Sequence, residues 1–281
     1  MSRAAARVLA LRAVFTTVGS VAPETAARWA ETIFCTPPKH QPRNGDEAFL
    51  ATGRAFAVRS EGQELAAWEW GEGPTVVLVH GWGSRAGRFS GMARGLARAG
   101  FRVVAFDAPA HGRSTGRLAS LPEFARALRS VGDAVGPVFG LVGHSLGGAA
   151  ATLALRDGLA AERIVLLAAP ADVTRFSTAF ADHLRLPPVA RAAMRRNLET
   201  RLRVRWDELH MPTIARSLGA LALLVHDRDD QDVPYGHAVE IADAWPGARL
   251  VATSGLGHRA ILRDPAIIHE AVAFLGEAAR R

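Results

Sequence analysis

Apolar residues in this chain gather into short unbroken runs, separated by stretches where they recur every three or four positions. Thr75–Val79, Arg163–Leu167 and residues 221–225 are the runs expected of strands covered on both faces. Residues 103–106, 138–142 and 249–252 predict further strands, and 55–58 with 65–70 predicts an opening hairpin. Between them, 88–99, Leu121–Val135, 146–159, 235–245 and 265–279 show helical spacing. This alternation predicts an α/β fold, a mostly parallel twisted sheet with helices on both faces.

Two stretches depart from the rhythm. From Ser2 to about Ile33 the chain is basic, with Val8, Leu11, Phe15 and Val18 at helical spacing. That predicts an amphipathic helix packed on the domain, with contact to a membrane surface as the alternative. Residues 36–42, rich in proline, then act as a connector. Between Ala168 and Leu221 no buried-strand signal occurs. Phe176, Phe180, Leu184, Leu198 and Leu202 lie there among arginines, with a break at Pro187-Pro188. So long a crossover predicts a helical insertion forming a lid. The expected organisation is an N-terminal helix and connector (1–40), a core (41–170 and 214–281) and the lid (171–213).

Composition narrows the class. With 281 residues, 49% of them hydrophobic, the chain can bury a sizeable core. Its single cysteine, Cys35, rules out an intrachain disulfide and cysteine-rich zinc frameworks. No apolar run reaches the roughly 20 residues that span a bilayer. Arg3, Arg7 and Arg12 sit inside the periodic pattern rather than ahead of it, which argues against a signal peptide and for a cytoplasmic protein. The net charge of +7 raises nucleic acid as a partner, but the arginines are spread along the chain without a binding motif, so none is expected.

Four loops after strands carry candidate chemistry. Gly143-His144-Ser145-Leu146-Gly147 turns from strand to helix and presents Ser145 at a helix N-terminus. His80-Gly81-Trp82-Gly83 follows the run ending at Val79, where the backbone N–H groups of Trp82 and Leu146 would form an oxyanion hole. An acidic run, Asp227 to Asp232, ends at Val233-Pro234, and Gly255-Leu256-Gly257-His258 follows the last strand. Loops at the C-terminal edge of a parallel sheet converge, so serine, acid and histidine can meet.

These four motifs, in this order, resemble the α/β-hydrolase-fold family with a helical cap, over about residues 55–281. The resemblance implies Ser145 as nucleophile, His258 as base and Asp230 as its carboxylate partner, acting through an acyl-enzyme without metal or organic cofactor. Asp227 stands where the family's acid motif has glycine, which leaves Asp227 and Asp229 open as the acid, with Asp172 a further alternative. A further family element appears as Asp107-Ala108-Pro109-Ala110-His111-Gly112-Arg113-Ser114, with Ala110 where glycine is usual. The implied partner is a small acyl substrate. Trp82, Phe176 and Phe180 would hold its apolar part, and thioester, lactone, C–C bond and peracid chemistries share the same triad. A ligand-binding module without catalysis is the reading outside enzymology. The lid's eight arginines face either water or, in the sharper reading, a substrate carboxylate or phosphate.

Overall fold

The computed structural model describes residues 3–39 and 45–277. His40, Gln41 and Pro42 of the expected connector and Ala278 and Ala279 of the expected last helix lie outside the described residues. The chain divides into two compact units, residues 37–172 with 210–281, and residues 1–36 with 173–209.

The larger unit is built on one eight-stranded sheet. Its strands are β1 (Arg54–Ser60), β2 (Gln63–Trp70), β3 (Thr75–Val79), β4 (Arg102–Phe106), β5 (Val138–His144), β6 (Arg163–Leu167), β7 (Leu221–Asp227) and β8 (Arg249–Thr253). They run in the order β1-β2-β4-β3-β5-β6-β7-β8. β1 and β2 form an antiparallel hairpin, β2 pairs antiparallel with β4, and every later pairing is parallel. The fold is the α/β fold with helices that the runs predict.

Every residue of β3 and β6 is buried, as their unbroken apolar runs require. β5 and β7 each extend two residues past their apolar runs. The added residues include His144, His226 and Asp227, polar side chains that the sheet buries. Helix Leu121–Val135 opens with Ser120 accepting the N–H of Glu123, and Pro265–Gly276 opens with Asp264 accepting from Ala266 and Ile267. Val76, Leu78, Phe89, Met92, Leu96 and Phe101 are among the fully covered core side chains.

The sheet order reverses at β3. The chain moves from β3 to β4 on one side, then returns to β5 on the other. The ends of β3 and β5 therefore form a switch point, where an open α/β sheet leaves a crevice.

The smaller unit is helical. Its N-terminal part is two helices rather than one, Arg3–Val21 and Pro23–Cys35, because Pro23 opens the second and cannot continue the first. The first is not amphipathic in the expected sense. Phe15 is buried and Val8 and Val18 are half-buried, but Leu11 is exposed, and apolar residues also occupy the outer side. These helices group with Thr174–His183 and Pro188–Leu202 from the segment between β6 and β7. Pro23–Cys35 packs against Pro188–Leu202, and both bury alanines, Ala26, Ala27 and Ala30 on one and Ala190 and Ala193 on the other. Arg201 pairs with Glu31 at 2.7 Å and Arg196 with Glu24 at 2.9 Å. Of the eight arginines between 171 and 213, Arg191 is half-buried and ion-paired to Asp182, and the other seven are exposed.

Candidate active site

Ser145 follows β5 directly and opens helix Leu146–Arg156 with φ 53° and ψ −126°. A non-glycine residue held there stores strain, which tight packing must maintain. The packing is visible at its neighbours. A Cβ on Gly147 would lie 2.1 Å from the Val79 carbonyl oxygen, and one on Gly143 would lie 2.5 Å from Gly148 Cα. A Cβ on Gly81 would lie 2.9 Å from Ser145 Cβ, so the loop after β3 abuts the serine. The Ser145 N–H donates to the Leu167 carbonyl at 2.9 Å, fixing the turn to β6. Leu146 is the first helical residue, where backbone N–H groups have no intrahelical acceptor.

Histidines outside the predicted set build the loop after β3. The His80 Nδ1–H donates to the Gly81 carbonyl at 2.7 Å, and its Nε2 accepts the Ala108 N–H at 2.9 Å. The His111 Nδ1–H donates to the Pro109 carbonyl at 2.8 Å, and its Nε2 accepts the Gly83 N–H at 2.9 Å. Both rings are thus neutral with the proton on Nδ1. Burial lowers the His80 pKa to about 4 and that of His111 to about 3. Trp82 lies edge-on to His111 with ring centroids 5.3 Å apart, and its side of the loop remains partly exposed. Asp107 supports the same loop, accepting the N–H groups of Ala86 and Arg113 at 2.8 Å each. Burial raises its pKa, and those two bonds oppose the rise.

His258 sits in a short helix, Gly257–Ala260, rather than an open turn. Its Nδ1–H donates to Asp230 Oδ2 at 2.7 Å. The Asp230 side chain has no solvent exposure. Its Oδ1 accepts the N–H groups of Asp232 (2.9 Å) and Val233 (2.8 Å), and His226 Nε2 lies 3.4 Å from Oδ2. Burial pushes its pKa up, but the bonds from His226, His258 and Val233 outweigh burial and hold it well below the usual range. His144, next to Ser145, donates from Nε2 to the His258 carbonyl at 2.8 Å, and the two rings lie 4.8 Å apart. That contact brings the histidine loop to the elbow. Burial, then the nearby His258, lower the His144 pKa to about 3.

The other acids do different things. Asp227 is fully buried and accepts from Thr253 Oγ1 (2.7 Å), the Leu256 N–H (3.0 Å) and the Asp229 N–H (3.0 Å). Asp229 accepts the Gly255 N–H at 2.8 Å. Together they clamp the segment that leads into His258. Asp232 is exposed near Arg259, and Asp172 forms a backbone bridge with His210. Phe176 and Phe180 belong to the helical unit, where Phe180 meets Phe34 at 5.2 Å and Phe176 is exposed.

The family described as serine aminopeptidase, S33, matches residues 73–228, more than half of the chain. The chain belongs to this family. Its members share the α/β-hydrolase fold seen here. The match begins just before β3 and ends just after β7, so it takes in Ser145 and stops short of Asp230 and His258. Among curated relatives, human monoglyceride lipase is 31% identical over 169 residues, covering 53% of this chain and 55% of that protein. A pimeloyl-[acyl-carrier protein] methyl ester esterase of Nitrosospira multiformis is 36% identical over 106 residues, 34% of this chain and 38% of that one. The chain thus spans about half or less of these relatives. In fold it is similar to a putative lipase from Acinetobacter baumannii, with a TM-score of 0.66 at 17% identity, covering 86% of this chain and 99% of that one.

The buried neutral histidines couple stability to pH. Their folded pKa values lie below the unfolded value of 6.5, so the unfolded chain binds more protons in that range. Stability is full above pH 6.5 and drops as pH falls toward 4. Thermal melts across this range are expected to show a progressive fall in Tm, and a flat profile counts against neutral rings. Ala110, at φ 62°, adopts a backbone conformation that favours glycine. Ala110→Gly is expected to stabilise the protein by about 1 kcal/mol in urea unfolding.

Proposed function

We propose that the chain is a serine hydrolase of carboxylic esters, with Ser145 as nucleophile, His258 as general base and Asp230 as the carboxylate that orients it. The observation that carries this reading is the 2.7 Å bond from His258 Nδ1–H to a carboxylate without solvent exposure. It fixes the tautomer with Nε2 free to accept a proton. Ester chemistry is supported by the names of the curated relatives, a lipase and a methyl ester esterase.

In this mechanism the Ser145 Oγ attacks the ester carbonyl carbon while His258 Nε2 takes its proton. Backbone N–H groups of Trp82 and Leu146 stabilise the oxyanion. The imidazolium, stabilised by ionised Asp230, returns the proton to the departing alkoxide and leaves an acyl-enzyme. Water, deprotonated by Nε2, then releases the acid and restores Ser145. The exposed side of Trp82 offers apolar surface to the acyl chain.

Ser145→Ala is expected to lower ester turnover by at least ~10³-fold with the fold intact. A fluorophosphonate should label Ser145, and an adduct on any other serine overturns the assignment. A panel of esters, thioesters, lactones and vinylogous diketones, run beside Ser145→Ala, ranks the scissile bond.

Alanine at Asp230 is expected to cost about 10³- to 10⁴-fold in kcat. Asp227→Ala, which only loosens the segment before His258, should cost about 10- to 100-fold, and alanine at Asp229 or Asp232 less. If Asp227 or Asp229 proves as costly as Asp230, a different carboxylate serves the histidine.

A further inference from the structure

Helix Arg3–Val21 has apolar residues on every face, yet many of them are uncovered. Phe15 is buried, while Leu9, Leu11, Val14 and Val21 are 48%, 38%, 45% and 79% exposed. The next helix, Pro23–Cys35, buries its alanines and leaves Trp29 and Ile33, one turn apart, 46% and 43% exposed. Eight of the ten exposed large apolar side chains among the described residues belong to this unit, about a quarter of the chain. Such a concentration of uncovered apolar surface marks an interaction face.

Charge identifies what covers it. The helical unit holds twelve arginines against six acids, Glu24, Glu31, Asp182, Glu199, Asp207 and Glu208, and so carries +6 of the chain's net +7. Helix Arg3–Val21 contains no acidic residue. The unit is about a quarter of the chain and holds about a third of its arginines, drawn from two segments far apart in the sequence, while its share of the acids is close to its share of the length. We infer that the outer faces of Arg3–Val21 and Pro23–Cys35 dock on an anionic lipid bilayer, apolar side chains inserted among the acyl chains and arginines at the headgroups. A second copy of the same face would set +6 against +6. Nucleic acid would satisfy the charge and leave the apolar stripes uncovered. No helix among the described residues is long and apolar enough to cross a membrane, so the contact is peripheral.

The proposal is independent of the hydrolytic reading, and its test measures binding rather than turnover. The full chain is floated with vesicles of phosphatidylcholine alone, or of phosphatidylcholine with phosphatidylglycerol, at low and high salt. Partitioning is expected to be at least ~10-fold stronger on the anionic vesicles at low salt and to weaken as salt screens the arginines. Val14→Glu with Trp29→Glu should lower it by about 10-fold, with circular dichroism and the melting temperature unchanged, since both side chains are exposed. Arg7→Glu with Arg28→Glu, which leaves the apolar residues intact, should weaken anionic binding alone. Absence of vesicle binding, equal binding to both vesicle types, or binding that survives both double variants overturns the proposal. So does a dimer in sedimentation equilibrium that the Val14→Glu/Trp29→Glu variant abolishes, or binding to a DNA duplex without binding to vesicles.

Discussion

An ionised carboxylate sealed from water, Asp230, sits just beyond the end of β7, and the architecture around it is organised to keep it charged. Removing a charge from solvent costs several kcal/mol unless hydrogen bonds replace the lost water. Asp230 receives two backbone N–H groups from its own turn and an imidazole N–H from His258, with His226 beside it. Three residues earlier Asp227, equally sealed, draws one donor from its own turn, Asp229, and two from Thr253 at the end of β8 and Leu256 just beyond it. The two carboxylates thus hold β7 to the histidine segment from both ends. Removing either leaves a set of oriented donors facing a void. Charge burial thus helps to set the position of His258, beside the turn that Gly255 and Gly257 permit.

Most of the sheet could be read from the sequence, because strands covered on both faces leave continuous apolar runs. Thr75–Val79, Arg163–Leu167 and Leu121–Val135 match their predicted bounds. β5 and β7 extend two residues past their apolar runs for one reason: the sheet buries His144, His226 and Asp227, and a hydropathy pattern counts buried polar residues as loop. The helical unit was less legible. Its ties, such as Arg201 to Glu31 and Arg196 to Glu24, join residues about 170 positions apart, and no local pattern announces them. Leu11 fell on the exposed side because Arg3–Val21 has apolar residues on every face, so spacing alone could not choose the inner one.

At the candidate site, motif order singles out Ser145, Asp230 and His258, and of these the structure joins Asp230 to His258; the residues that support them carry no comparable motif. His80 and His111 lay in plain view, but the sequence drew attention to the glycines beside them. The signal was there in weaker form. A histidine directly after a fully buried strand, facing a second histidine in an Asp-x-Pro loop, suggests paired ring nitrogens with backbone partners. In the sequence Asp227 stands as a departure from a glycine position. In the folded chain it is an anchor, and only contacts with residues some 26 to 29 positions later make that visible.

The neutral histidines impose a constraint that the acids do not. A carboxylate can gain donors from many directions, but an imidazole that accepts through Nε2 loses that acceptor the moment it is protonated. His80 and His111 each use Nε2 to take a backbone N–H, from Ala108 and Gly83, and these bonds join residues 80–83 to residues 107–111. Protonating either ring would turn an attractive contact into two N–H groups facing one another. Burial prevents this by penalising the charged ring, so the desolvation that lowers their pKa values also preserves the loop that abuts Ser145. Geometry at the serine and neutrality of these two rings are thus coupled. Any substitution that lets water reach His80 or His111 acts on the loop after β3 through protonation, even where no contact to Ser145 changes.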